Sequence, residues 1–171
     1  MEILKLERAR LDAIEPLWSL LLDHHRAAEP DMAVRSSEKS WSFRRAAYSD
    51  WLTEGGFGVI AEHDEEVIGY AIVSIGGPDE TWDLGPCTAE LQTLVVHPAW
   101  RGSGLGASLV EAVDTELERR GIADLLVGVV AGNVGAVRFY ERLGWRRRYV
   151  VFHRRRADDK TITAMTQAGA R

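Results

Sequence analysis

The segment Arg101-Gly102-Ser103-Gly104-Leu105-Gly106 places three glycines in five positions, between a run of strand type and a run of helix type. Glycine gives up the most conformational freedom on folding, so this is a poor helix start unless backbone must come close to something. Consecutive N–H groups at a helix N-terminus form a positive concavity that suits phosphate. A P-loop is excluded, because Gly106 is followed by Ala107-Ser108 and no lysine stands ready for terminal phosphates. Gly102, Gly104 and Ala107 satisfy G-x-G-x-x-G/A. A dinucleotide site, however, also wants a ribose-binding acid about 20 residues on, and residues 125–137 contain none.

Other candidates lie on either side. Asn133 is of helix-capping type, and Tyr140 follows it by seven residues, two turns along the same helix side. Glu90 and Gln92 alternate onto one face of a strand. Cys87 has no histidine partner at fixed spacing, which leaves a covalent route without an activating base.

Positioning these residues takes a folded scaffold, and 171 residues that are 46% hydrophobic are enough for one. The count of 21 Lys+Arg against 26 Asp+Glu gives a net charge of −5, which disfavours a general nucleic-acid binder. A single cysteine rules out an internal disulfide and a four-cysteine zinc site. No apolar stretch reaches the roughly 18–20 residues of a membrane span, and residues 1–10 carry charges where a signal peptide needs an apolar run. The expectation is a cytoplasmic protein with no metal, no membrane partner and one domain over residues 1–156, followed by a polar tail, 157–171, that is frayed or an edge strand.

Periodicity supplies the elements. Residues 3–6 read as a strand. Asp12 three residues before Glu15 resembles a capping box for a helix carrying Ile14, Leu17, Trp18, Leu21 and Leu22. Ser36 or Ser37 caps a second helix with Trp41, Tyr48, Trp51 and Leu52, stopped by Gly55-Gly56. Residues 57–61 and 67–75 form a hairpin around a polar run, and 89–96 a further strand. Leu105, Leu109, Val113 and Leu117 mark a helix ended by Gly121. The apolar run 125–130 predicts a strand covered on both faces. Asn133 opens a last helix, and 149–152 predicts a final strand.

Two blocks carry a family resemblance. The run from Leu94 through His97-Pro98 to Arg101 and Gly106, together with Asn133, Ala136, Phe139-Tyr140 and Gly144-Trp145, resembles the acyl-CoA-binding segments of the GCN5-related N-acetyltransferases (GNAT), in order and at the right separation. The resemblance covers about a third of the chain. It implies an α/β fold of order β-α-α-β-β-β-α-β-α-β: a mixed, mostly antiparallel sheet of six or seven strands with helices on both faces. Two central strands would splay to admit acyl-CoA.

The resemblance also implies roles. Main chain of Leu94, Val95 and Val96 would hold the pantetheine arm and thioester carbonyl, with the Val95 N–H facing the developing oxyanion. Amides of Gly102, Ser103, Gly104, Leu105, Gly106 and Ala107 would cradle the pyrophosphate, with Arg101 shaping the loop or adding charge. Asn133 would reach the cofactor arm as well as cap its helix. Tyr140 would protonate the departing thiolate, and Glu90 stands where some members carry a general base, others using water. Trp41, Phe43, Tyr48 and Trp51 lie in the segment that walls the acceptor site in the family, although most read as core. Arg146, Arg147 and Arg148, like Arg154, Arg155 and Arg156, could meet the 3′-phosphate of CoA, but such runs are ordinarily solvated edges.

The expected activity is acetyl transfer from acetyl-CoA to a primary amine, small-molecule or peptide, by direct attack in a ternary complex. A homodimer, frequent in the family, is compatible with it. A non-catalytic acyl-CoA-binding or regulatory module is the alternative, with a dinucleotide-dependent oxidoreductase behind it.

Overall fold

The computed structural model describes residues 1–154. The predicted tail, 157–171, lies outside the described residues, as do Arg155 and Arg156. The chain divides into two compact units, Met1–Phe139 and Tyr140–Arg171.

The first unit is built on five strands in the spatial order β1-β2-β3-β4-β5. These are β1 (Glu2–Lys5), β2 (Phe57–His63), β3 (Glu66–Gly76), β4 (Thr88–Val96) and β5 (Leu125–Leu126). The first three pairings are antiparallel and the β4–β5 pairing is parallel. A doubly wound parallel sheet for dinucleotides is therefore not the architecture. His63 pairs with Glu66, so Asp64 and Glu65 alone make the β2–β3 turn. Both have positive φ, 50° and 67°, the twist that lets a two-residue hairpin close.

Helices α1 (Glu15–Ala28) and α2 (Ser37–Thr53) cover one sheet face. Their buried residues Leu17, Trp18, Leu22, Trp41 and Tyr48 join Ile60, Tyr70, Ile72 and Val95 of the sheet in one core. Each buried aliphatic or aromatic side chain there contributes about 1.5–3 kcal/mol. Residues alternate sides along β3, so Gly69 faces away from that core. A Cβ built there would lie 3.0 Å from the Leu109 side chain of α3 (Leu105–Arg120), which places α3 on the opposite face. Ser36 caps α2 by accepting the Lys39 N–H at 3.4 Å. Gly121, in the left-handed region at φ 70°, ends α3.

Three expectations need correction. Asp12 caps nothing: it lies in a 3-10 segment, Arg8–Ile14, and binds Arg45 of α2 at 2.5 and 3.0 Å instead. A guanidinium offering two donors outcompetes the local capping role. The strand expected over 125–130 is two residues long, and its pairing with β4 stops at Glu90–Leu126. The strand expected at 149–152 does not form; Tyr149, Val150, Val151 and Phe152 are exposed and extend no sheet among the described residues. The sheet therefore counts five strands there, not six or seven.

In the second unit, Tyr140 is buried and packs on Trp145, ring centroids 5.1 Å apart. The Trp145 N–H donates to the Tyr140 carbonyl at 3.0 Å. Gly144, at φ 86°, makes the reversal that α4 (Val134–Arg142) needs to end there.

Candidate functional site

Among the described residues, strand β4 has partners on both sides only at its beginning. Its pairing with β3 runs to Gly69–Val96, with an irregularity between Ile72 and Val73 that leaves Gln92 unpaired. Its pairing with β5 covers Ala89–Leu125 and Glu90–Leu126 and no more. Among the described residues β4 presents an open edge from Leu91 onward, the place where an extended amide chain can add as a further strand.

The register decides which groups point there. The His97 N–H donates to the Ile68 carbonyl at 2.8 Å. In an antiparallel pair the main-chain groups alternate in direction, so those of Val95 and Thr93 turn toward Tyr70 and Ile72 of β3. Leu94 and Val96 turn toward the open edge. The Val95 N–H is thus committed to the sheet, and the donors available to an added chain belong to Leu94 and Val96. The Val96 carbonyl already accepts from Arg101 Nε at 3.3 Å, so Arg101 folds back and braces the loop against the strand end.

That loop leads directly into α3. Gly102 and Gly104 have φ of 77° and 91°, which L side chains rarely adopt. Ser103 Oγ donates to the Trp100 carbonyl at 2.7 Å and accepts the Leu105 N–H at 3.4 Å. Amides of Gly104, Gly106 and Ala107 find no acceptor among the described residues. Three free N–H groups at the positive end of a sixteen-residue helix form an anion cradle. At Gly106 a Cβ would lie 3.3 Å from the Phe139 ring and 3.7 Å from the Val96 side chain.

The remaining candidates are placed as follows. Glu90 is exposed, paired across to Ser74 on one side and to Leu126 on the other. Gln92 donates from Nε2 to Ser74 Oγ at 3.0 Å. Asn133 caps α4, its Oδ1 accepting the Ala136 N–H at 3.1 Å. The neighbouring Gly132 donates its N–H to Glu29 Oε1 at 2.8 Å, and a Cβ on it would strike the Ala28 carbonyl at 2.0 Å. Only glycine fits, and the segment that follows β5 is thereby pinned to the end of α1. Tyr140 belongs to the second unit, where burial raises its hydroxyl above the ordinary phenol range. Cys87 is half-buried and unpaired. The structure thus brings Leu94, Val96, Arg101 and Gly102 to Ala107 together at one strand end and helix start.

Of the aromatic residues on α2, Trp41 and Tyr48 are buried, while Phe43 is exposed under the Arg35 guanidinium. Tyr48 donates to Thr93 Oγ1 at 2.6 Å and lies 3.2 Å, hydroxyl to hydroxyl, from Tyr70. Arg44, not singled out in the sequence, stands over Trp18, Tyr48 and Trp51. Its signal was available: it is a charge on the stripe that buries Trp41 and Tyr48.

The model of the acetyltransferase (GNAT) family matches residues 17–145. The chain belongs to that family. A GNAT relative, the mycothiol acetyltransferase of Thermobispora bispora, is 31% identical over 146 residues, 82% of this chain and 48% of its own length. The chain thus spans about half the length of that curated relative. Among solved structures, a tetramutant of the BH1408 protein from Bacillus halodurans superposes with a TM-score of 0.76 at 16% identity, over 91% of this chain and 99% of that one. The aminoglycoside N-acetyltransferase AAC(6')-Iy, solved in complex with CoA, gives 0.64 at 21% identity, over 91% and 99%. At such identities the likeness shows the GNAT fold. Among the described residues no helix is long and apolar enough to cross a membrane, and no group of three or more His, Cys, Asp or Glu could hold a metal ion.

Proposed function

We propose that this chain transfers an acetyl group from acetyl-CoA to a primary amine by direct attack within a ternary complex. The observation that carries the reading is the continuity of the open β4 edge at Leu94 and Val96 with the free amides at the start of α3. An arm with amides at one end and a diphosphate at the other, as in coenzyme A, matches that sequence of donors. The pantetheine amides would pair with Leu94 and Val96, and the diphosphate would accept from Gly104, Gly106 and Ala107. The thioester carbonyl would take an N–H from the same edge, which stabilises the charge that develops on its oxygen.

The amine must be uncharged to attack, since an ammonium has no lone pair. Glu90, exposed on β4, would accept the proton directly or through water. As the C–S bond breaks, the leaving thiolate, whose thiol has a pKa of about 8.5, takes a proton from a suitably placed acid. Tyr140 is our choice, because burial keeps its phenol protonated at working pH. Asn133 would add a contact to the cofactor arm while capping α4.

A thiol-release assay with acetyl-CoA over peptide N-termini, lysine side chains, polyamines and aminoglycosides tests the reading. Amine-dependent release of CoA thiol is the expected result. Binding of acetyl-CoA without release for any amine would leave a carrier module, and no binding would reject both.

A further inference from the structure

The inward stripe of α2 reads Trp41, Arg44, Tyr48, Trp51, the three-and-four spacing of a helix face that packs on a core. One member is a charge. Arg44 is half-buried, and its guanidinium carbon lies 4.7 Å from the Trp18 ring, 5.7 Å from Tyr48 and 5.9 Å from Trp51. The rings orient the group by cation–π attraction but offer it no acceptor. Among the described residues Arg44 has no carboxylate in ion-pair reach and makes no hydrogen bond. Its neighbour Arg45, by contrast, grips the Asp12 carboxylate with two donors.

The neighbouring histidine senses that charge. His25 of α1 is half-buried and titrates below its ordinary value, first because of burial and then because His24 and Arg44 repel its proton. A guanidinium held in one orientation, partly desolvated and unpaired, is a fork of donors for a planar or tetrahedral oxyanion. Arg44 is also linked to the open edge: it stands over Tyr48, whose hydroxyl donates to Thr93 Oγ1, and Thr93 precedes Leu94 there.

We propose that Arg44 is a specificity-determining residue that binds an anionic oxyacid group, carboxylate or phosphate, carried by the amine acceptor. This deepens the acetyl-transfer reading and rests on it. The acceptors of choice are then amines bearing a negative group rather than polycations.

The test uses matched amines: 4-aminobutyrate against 4-aminobutyramide, and 2-aminoethyl phosphate against 2-methoxyethylamine. In the wild type the anionic member of at least one pair is favoured about tenfold or more in kcat/KM, through KM. Arg44→Gln narrows that ratio to about threefold or less, and Arg44→Lys, which keeps the charge without the fork, falls between. Equal use of both members by the wild type, or an unchanged ratio in Arg44→Gln, overturns the proposal.

A second readout needs no turnover. Trp18 and Trp51 flank the guanidinium, so titration with succinate and with inorganic phosphate should change tryptophan fluorescence saturably in the wild type and not in Arg44→Gln. A flat wild-type titration overturns the proposal even where no amine reacts. Calorimetry with acetyl-CoA, run in parallel, separates the two failures: missing heat condemns the acetyl-transfer reading while the anion titration still reports on Arg44. Circular dichroism verifies that both variants fold.

Discussion

The Phe139 ring occupies the space a side chain would need at Gly106: a Cβ there would sit 3.3 Å from two of its carbons. The first turn of α3, which carries the free amides, is therefore seated on the helix that Asn133 caps.

Substitution at Gly106 sets two effects against each other. Alanine gains about 1 kcal/mol of helix propensity, and the ring need give only by tenths of an ångström. Gly106→Ala should change stability by less than about 1 kcal/mol. Gly106→Val adds branched bulk that must displace Phe139, an overpacking cost of about 1–3 kcal/mol. Denaturant unfolding measures both, and calorimetry should find acetyl-CoA affinity lowered by valine far more than by alanine.

The β2–β3 turn carries strain that can be removed. Glu65 holds φ at 67°, which costs a non-glycine residue about 1 kcal/mol or more. Glu65→Gly should stabilise the protein by about 0.5–1 kcal/mol, although glycine gains entropy in the unfolded chain. Thermal unfolding checks it. The turn adjoins the end of β3 whose Gly69 pairs with Val96, and His63 beside it packs on Trp100, ring centroids 4.8 Å apart, so the acetyl-CoA affinity of the variant should stay unchanged only where that contact survives, which calorimetry reads.

Tyr140 gives a kinetic and a pH prediction. Tyr140→Phe removes the proton donor we propose and leaves the ring, so kcat should fall about 10²-fold with little change in acetyl-CoA affinity. Burial raises the Tyr140 pKa from the ordinary 10, so the wild-type rate should show no alkaline limb from this residue below pH 10. Tyr48 and Tyr70 are raised as well, again chiefly by burial. Folded-state phenols that ionise later than unfolded ones leave stability intact below pH 10 and reduce it as pH rises beyond. Melting temperatures from pH 8 to 12 should be level at first and then decline.

An acid counterpart lies at the other end of α3. Glu116 accepts from Arg119 at 2.7 Å and Arg120 at 2.6 Å, and these bonds, Arg119's first, hold its carboxyl down to about 2. Arg120 also donates to the Gly55 carbonyl and covers the Phe57 ring, tying α3 to the end of α2 and to β2. A depressed carboxyl contributes stability above its ordinary value, near 4.5, and loses it as pH falls toward 2. Glu116→Gln should therefore melt lower than wild type at pH 7, modestly since the pair is partly exposed. The two melting curves should converge near pH 2.

Local signals made most of the fold legible in the sequence. The stripe of Leu105, Leu109, Val113 and Leu117 and the Gly121 stop act within α3, the Ser36 cap within α2, and all hold. Asp12 misled because its partner, Arg45, lies 33 positions away, and no local pattern reports such a bond. The run 125–130 has strand composition, but strand length depends on whether β4 keeps a partner, and that pairing ends at Leu126. At the site, residue types marked the glycine loop, whereas main-chain direction did not show: a strand's side chains say nothing about which N–H faces which neighbour. The family expectation of Val95 as donor thus shifts to Leu94 and Val96 once the His97–Ile68 bond sets the register. Arg44 escaped because the aromatic residues around it dominate the stripe.

Amide exchange, residue by residue, tests the central claim most directly. In the free protein the Val95 N–H should exchange slowly, and those of Val96, Gly104, Gly106 and Ala107 quickly. Acetyl-CoA should slow the second group sharply and leave Val95 as it was. Unchanged exchange at Val96 and along 104–107 with saturating acetyl-CoA would contradict the account.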